Sequence, residues 1–295
     1  MRLRLLSPIP LLLLGAPAAA HDGHPHDAPG WTLDPLLLGP LLLALALYLI
    51  GARRLWQRSH QGRAQHRRTS WLFLSGWAVL ALSIVSPLHE AGERSFAVHM
   101  VEHELIMLLA TLLLAASAAG GALAWGLPRP LRTVAIGWPA QLWRTLTEPI
   151  TATVLQAVAL IAWHLPVLFD LALQDRLVHI VQHASFVLTS LLFWWAMLHA
   201  RGDRTRYGVS AACLFVTSLV GGALGALMAV STSPWYAPYA AMSLTGIGLA
   251  PAADQQLAGL IMWIPGGLVH AGAALLFFYR WLKAAEDSHA LAPQQ

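Results

Sequence analysis

Apolar residues run through this chain in long blocks broken by short polar stretches, with few charges inside the blocks. A helix that spans a bilayer needs about 20 predominantly apolar residues. Seven blocks approach or meet that length: 35–55, 71–88, 96–119, 149–166, 178–199, 209–231 and 256–281. The second and fourth are the shortest. Pro87, Pro149, Pro166 and Pro234 fall near block ends, where a missing backbone N–H is tolerated. The pattern therefore predicts an all-α integral membrane bundle of seven transmembrane helices, occupying 35–283.

The first 20 residues have a different pattern. Arg2 and Arg4 precede the Leu11–Leu14 run, and Ala18-Ala19-Ala20 follows as a small-residue cleavage site. That order is expected of a cleaved signal peptide, an uncleaved anchor being the alternative. A His-rich segment, 21–34, then leads into the first span. The 284–295 tail is expected to be disordered and cytoplasmic.

Composition supports the membrane reading. Of 295 residues, 57% are hydrophobic and 11% charged, with a mean hydropathy of +0.59. The net charge of +4 rests on short loops between apolar blocks, so nucleic acid is not an expected partner. Cys213 is the only cysteine, which excludes an internal disulfide and any CxxC motif. Fourteen of the 16 basic residues beyond the signal peptide fall in alternate loops, leaving only Arg94 and Arg176 on the other side. The positive-inside rule places the arginine-rich loops and the C-terminus in the cytoplasm, and the mature N-terminus outside. Trp31, Trp56, Trp71, Trp125, Trp163, Trp235 and Trp281 sit near block ends, as interfacial anchors do. Gly221, Gly222 and Gly225 form a small-residue face suited to close helix packing. The aromatic 232–255 loop is expected to lie in the outer interface.

This orientation gives the histidines meaning. His99 and His103 open one span, and His179 and His183 open another. Each pair has i, i+4 spacing, which stacks two rings on one helix face about 6 Å apart. His164 ends a third span at the same depth, and His89 precedes the first pair in the same outer region. Ionisable groups at membrane depth are costly and mark function by default. Imidazole suits copper, zinc, iron and nickel. His99, His103, His164, His179 and His183 are the expected metal ligands, against the alternative of a polar packing network.

Secondary candidates follow. Met100 and Met262 would suit Cu(I), with Met228 near them. Glu102 and Gln182 lie between the paired histidines, on a different face, and are expected to orient neighbouring groups. His21, His24 and His26 could capture metal from outside, and a free His21 terminus would chelate Cu(II). Asp254 is either an N-cap of the last span or a polar lining of the site. Asp170 and Asp175 are expected to be solvated. His270 lies deeper and is expected to be a packed, hydrogen-bonded residue.

Several stretches resemble the CtaG family of polytopic bacterial cytochrome c oxidase assembly factors, the kind associated with caa-type oxidases. They are Ser86-Pro87-Leu88, His99-Met100 to His103, Trp163-His164-Leu165-Pro166, His179 to His183 with Phe193-Trp194-Trp195, and Asp254-Gln255-Gln256 through Gly259 to Met262-Trp263-Ile264-Pro265-Gly266. Their order and spacing carry the resemblance over about residues 80 to 267. It implies a non-enzymatic role in maturing the oxidase within the bacterial inner membrane. Copper would be delivered or inserted, with oxidase subunits and other copper chaperones as partners. Zinc is the other candidate metal. Two departures stand out: Glu102 where relatives are expected to carry Gln, and Ala110-Thr111-Leu112 where a proline-containing segment is expected. A copper transporter, a haem-binding membrane redox protein and a metal-free scaffold that only holds oxidase subunits together are the alternatives. A transporter would need polar or thioether residues continuing through the membrane. Haem would call for ligands at two depths, and the cluster occupies one.

Overall fold

The structure is a computed structural model that describes residues 29–58, 63–136, 140–199 and 205–290. The signal peptide and His21, His24 and His26 lie outside the described residues. Those residues form an all-α bundle. Long helices α1 (Pro35–Arg58) and α2 (Arg63–Val85) are followed by short α3 (Pro87–Arg94). The next span is composite: α4 (Phe96–Glu104), a π-helical turn at Leu105–Ala110, then α5 (Thr111–Ser117). Short helices α6 (Gly120–Gly126), α7 (Arg129–Ile136) and α8 (Ala140–Leu146) link it to α9 (Pro149–His164). Then come α10 (Pro166–Gln174), α11 (Arg176–His199), α12 (Thr205–Val230), α13 (Ala237–Ala240) and α14 (Pro251–Ala290).

Among the described residues, six helices are long and apolar enough to cross a membrane. A seventh span arises if α8 and α9, bent by 63° at their junction, count as one. The bend has a local cause. Pro149 sits in the first turn of α9, and the Glu148 carboxylate accepts from Thr151 N–H at 2.8 Å, so the chain is capped and restarted there. Two ends differ from the hydropathy pattern. Helix α2 starts at Arg63, well before the apolar block, because Arg, Gln and Ala are good helix formers outside lipid. Helix α14 runs through Ala290, so the first part of the tail expected to be disordered is helical; Lys283-Ala284-Ala285-Glu286 favours that.

The α4–π–α5 span lies at the centre of the bundle. Its most apolar window is 56% buried, against 17–33% for the other long helices. It packs on α2, α11 and α14. Large apolar side chains such as Leu43, Val158, Leu188 and Leu275 face outward, as a lipid-facing surface requires.

The π turn has identifiable braces. Met107 C=O accepts from Trp194 Nε1 at 2.9 Å and from Thr111 Oγ1 at 2.7 Å. No proline interrupts the segment, and the π turn lets the span continue unbroken in its place. The α12–α14 contact is the most extensive in the bundle. A Cβ on Gly225 would fall 2.7 Å from Gly259 C=O, and one on Gly259 would fall 2.4 Å from Gly225 C=O. The expected small-residue face therefore is a backbone-to-backbone contact, seated on α14.

Candidate metal centre

Each element that carries a histidine here has its N-terminus capped by a side chain. Ser86 caps α3 at Leu88 N–H, with Pro87 in its first turn. Ser95 caps α4 at Val98 N–H. Asp254 does not cap its own helix. Its carboxylate reaches across to accept from Ser95 Oγ (2.8 Å), Phe96 N–H (2.6 Å) and Ala97 N–H (3.4 Å), so α14 caps α4. Asp175 is not merely solvated: it accepts from Leu177 and Val178 N–H at 2.8 and 3.0 Å and caps α11. Asp170 accepts from Ala237 N–H at 3.1 Å. At the opposite side of the site, α9 stops at His164, and Pro166 begins α10.

Five imidazoles converge. The rings of His99 and His103 lie 4.3 Å apart, and those of His103 and His183 5.1 Å. His179 stacks with His89 at 5.1 Å and with His99 at 5.8 Å. The Nε2 atoms of His179 and His183 face each other at 3.0 Å. Two imidazoles on one tetrahedral ion, at about 2.05 Å each, would be separated by about 3.3 Å.

Glu102 belongs to the centre rather than to a different face. Its Oε1 accepts from His89 Nδ1 at 2.7 Å and lies 3.7 Å from His183 Nδ1. The i+3 position is only 60° from His99 around the helix, so a residue between the paired histidines shares their side of α4. Gln182, the equivalent residue on α11, is likewise buried, and neither its Oε1 nor its Nε2 has a partner among the described residues.

Two sets of donor atoms lie within 4.8 Å of one another and could hold a metal ion: His89, Glu93 and His179, and His89, Glu102 and His183. Glu93 was absent from the sequence candidates, and His89 stood at their margin. Spacing hid both, because α3 is a separate short helix folded back on α4. Burial is graded: Glu93 is exposed, His179 half-buried, and His89, Glu102, His183, His99 and His103 buried. His99 Nε2, both nitrogens of His103 and His183 Nδ1 have no hydrogen-bond partner among the described residues.

His164 is close but not within this ring contact. Phe169 touches both His99 (5.2 Å) and His164 (6.3 Å), and Phe186 touches both His103 (4.8 Å) and His164 (6.4 Å). His164 Nδ1–H donates to Leu160 C=O at 2.7 Å, leaving a buried Nε2. Neither methionine candidate joins the imidazoles. Met100 packs in the apolar core with Phe96 and Phe169, as does Met228, and Met262 lines a separate cavity with His270.

The 232–255 loop folds over the centre. Tyr239 OH donates to Gly92 C=O at 2.6 Å and Tyr236 OH to His164 C=O at 3.1 Å. Tyr236 stacks on Phe169 at 4.0 Å. Gln255 Oε1 accepts from Trp235 N–H at 2.6 Å, and Gln256 Nε2 donates to Ser231 C=O at 3.1 Å, tying the loop to α14. Burial pushes both phenols well above their ordinary pKa, so they stay donors. At His89 burial opposes the charged form. The Glu102 hydrogen bond and charge outweigh it and raise the imidazole pKa above its ordinary value.

The motifs thus cap, bridge or line one histidine centre in an all-α membrane bundle. The family model for the cytochrome c oxidase caa3 assembly factor matches residues 46–284. The chain belongs to that family. No curated protein and no solved structure matches it. For a caa3 assembly factor, the quoted stretches acquire physical roles. Ser86-Pro87 starts α3, Trp163 Nε1 donates to Ser185 Oγ at 2.6 Å, Trp194 braces the π turn, and Asp254-Gln255-Gln256 holds the centre's helix and loop.

Proposed function

We propose that this protein holds copper as cargo at the histidine centre and passes it to a caa3-type cytochrome c oxidase during assembly. It acts as a non-enzymatic copper chaperone spanning the bacterial inner membrane seven times. The observation that carries the reading is the convergence of His89, His99, His103, His179 and His183 with Glu102 from three separate elements. A merely structural network would satisfy its own polar atoms, whereas several here are buried and unpartnered.

The donor set is imidazole and carboxylate, which favours Cu(II) over Cu(I) and keeps zinc as the second candidate. Glu93 stands at the exposed mouth, where an incoming cation first meets charge. His89 and His179 form the next step and His183 with Glu102 the one after. Each imidazole must offer a free lone pair to the ion, so binding competes with protons. Glu102 then compensates the cation's charge in a buried site. His164 and the N-terminal His21, His24 and His26 remain auxiliary ligands in this reading. The histidine end faces the periplasm, along with the N-terminus, and the C-terminus is cytoplasmic. Oxidase subunits and other copper chaperones would dock there.

Metal analysis of the purified protein beside a His179→Ala/His183→Ala variant tests this. The variant is expected to hold less copper than the wild type, having lost the copper of the histidine centre, and to fail to support oxidase activity, while still inserting in the membrane. Equal copper content in the two proteins would overturn the assignment.

A further inference from the structure

A second polar feature lies inside the bundle. A cavity of about 30 Å³ is lined by Glu104, Met107, Gln156, Met262 and His270, contributed by α4, the π turn, α9 and α14. A water-sized body needs roughly 10–15 Å³ of such space, so the cavity holds about two. Three of these residues carry a buried polar atom with no hydrogen-bond partner among the described residues: Glu104 Oε2, Gln156 Oε1 and His270 Nε2. Gln156 is only 2% exposed and His270 only 7%.

The histidine is prepared as a ligand. Its Nδ1–H donates to Gly266 C=O at 2.8 Å, which leaves a lone pair on Nε2. Its ring stacks on Trp194 at 5.5 Å and 6°, and Trp194 in turn holds the π turn through Met107 C=O. A Cβ at Gly266 would come within 3.2 Å of Glu104 Oε2, so the glycine leaves the carboxylate its room.

We propose that this cavity binds a monovalent soft cation, Cu(I), at a site separate from the histidine centre. Thioethers from Met107 and Met262 are soft donors that select Cu(I), and imidazole accepts it. Glu104 forms no ion pair with a basic side chain among the described residues. Glu104 balances a single positive charge by releasing its carboxyl proton to solvent as Cu(I) enters, while a divalent ion would leave net charge among apolar helices. The proposal rests on copper being the cargo of the histidine centre. It adds a deeper station with a different donor set.

The test titrates the purified full-length protein anaerobically with Cu(I) against a chromophoric chelator and records copper K-edge absorption. The His179→Ala/His183→Ala protein is expected to retain one Cu(I) with sulfur scattering. Met107→Leu/Met262→Leu is expected to lose that scattering and to weaken this binding by about tenfold or more. Glu104→Gln, which keeps volume and thioethers, is expected to weaken it while sulfur scattering persists. Should the double leucine variant not fold, unchanged Cu(I) affinity in Glu104→Gln overturns the proposal. So does a His179→Ala/His183→Ala protein that keeps no Cu(I), or keeps it without sulfur. If wild type and that variant bind equal copper, all of it sulfur-ligated, the histidine centre fails and the inner site stands.

Discussion

Glu102 is the residue on which the centre's electrostatics turn. It is fully buried, and its Oε1 reaches two imidazoles on different elements, His89 on α3 and His183 on α11. A carboxylate there supplies both a hydrogen-bond acceptor for His89 and negative charge for a cation. Glu102→Gln keeps the shape and one acceptor but removes the charge. The variant is expected to fold normally and to bind the outer metal about 10- to 100-fold more weakly, the range typical of outer partners of metal ligands. Competition titration against a chelator of known affinity measures it. Unchanged affinity would show that Glu102 serves packing alone.

At the scale of elements, the trans cap from α14 to α4 is the connection with most at stake. The first N–H groups of α4 have no partners within their own helix, and Asp254 satisfies two of them together with Ser95 Oγ. Asp254→Ala leaves those donors buried and unpaired, at a cost of about 1.5–3 kcal/mol. The expected result is a lowered unfolding midpoint in detergent together with weaker metal binding, since His99 and His103 ride on α4. Asp254→Asn should lose less, because its side-chain oxygen still accepts. Lost metal binding at unchanged stability would mean that Asp254 acts on the ion directly.

This element also marks how much was legible in the chain. The paired i, i+4 histidines and the apolar blocks gave away the bundle and most of the centre, because helical period and membrane depth fix both. Partners distant in sequence were not legible. Asp254 and α4 are about 157 residues apart, and His89 and Glu93 enter through the fold-back of α3. The π turn left no compositional mark, for its brace is an indole on another helix. His270, expected to be a packed residue, is hydrogen-bonded as expected and also lines the inner cavity.

The two ends of the molecule are chemically opposite. One carries the histidine centre under the aromatic loop. At the other, the guanidinium groups of Arg58 and Arg132 lie 4.9 and 4.4 Å from the ring of Trp125. There Arg54 donates to Trp125 C=O at 2.6 Å, near the C-terminal end of α6, where helix dipoles favour cations. The positive-inside rule puts a cationic end of this kind in the cytoplasm, which is the orientation the proposed function takes. Delivery to an oxidase centre outside the membrane requires the histidine end to open outward, so orientation and function stand together. Single-cysteine labelling separates the cases, since Cys213 is the only thiol and Cys213→Ala removes it. In that background Ser233→Cys, exposed in the loop over the histidines, is expected to react with an impermeant maleimide in intact spheroplasts. Arg129→Cys, exposed at the arginine end, is expected to react only after the membrane is opened. The reverse pattern would put the histidine centre in the cytoplasm and leave copper hand-over at the outer face without a donor.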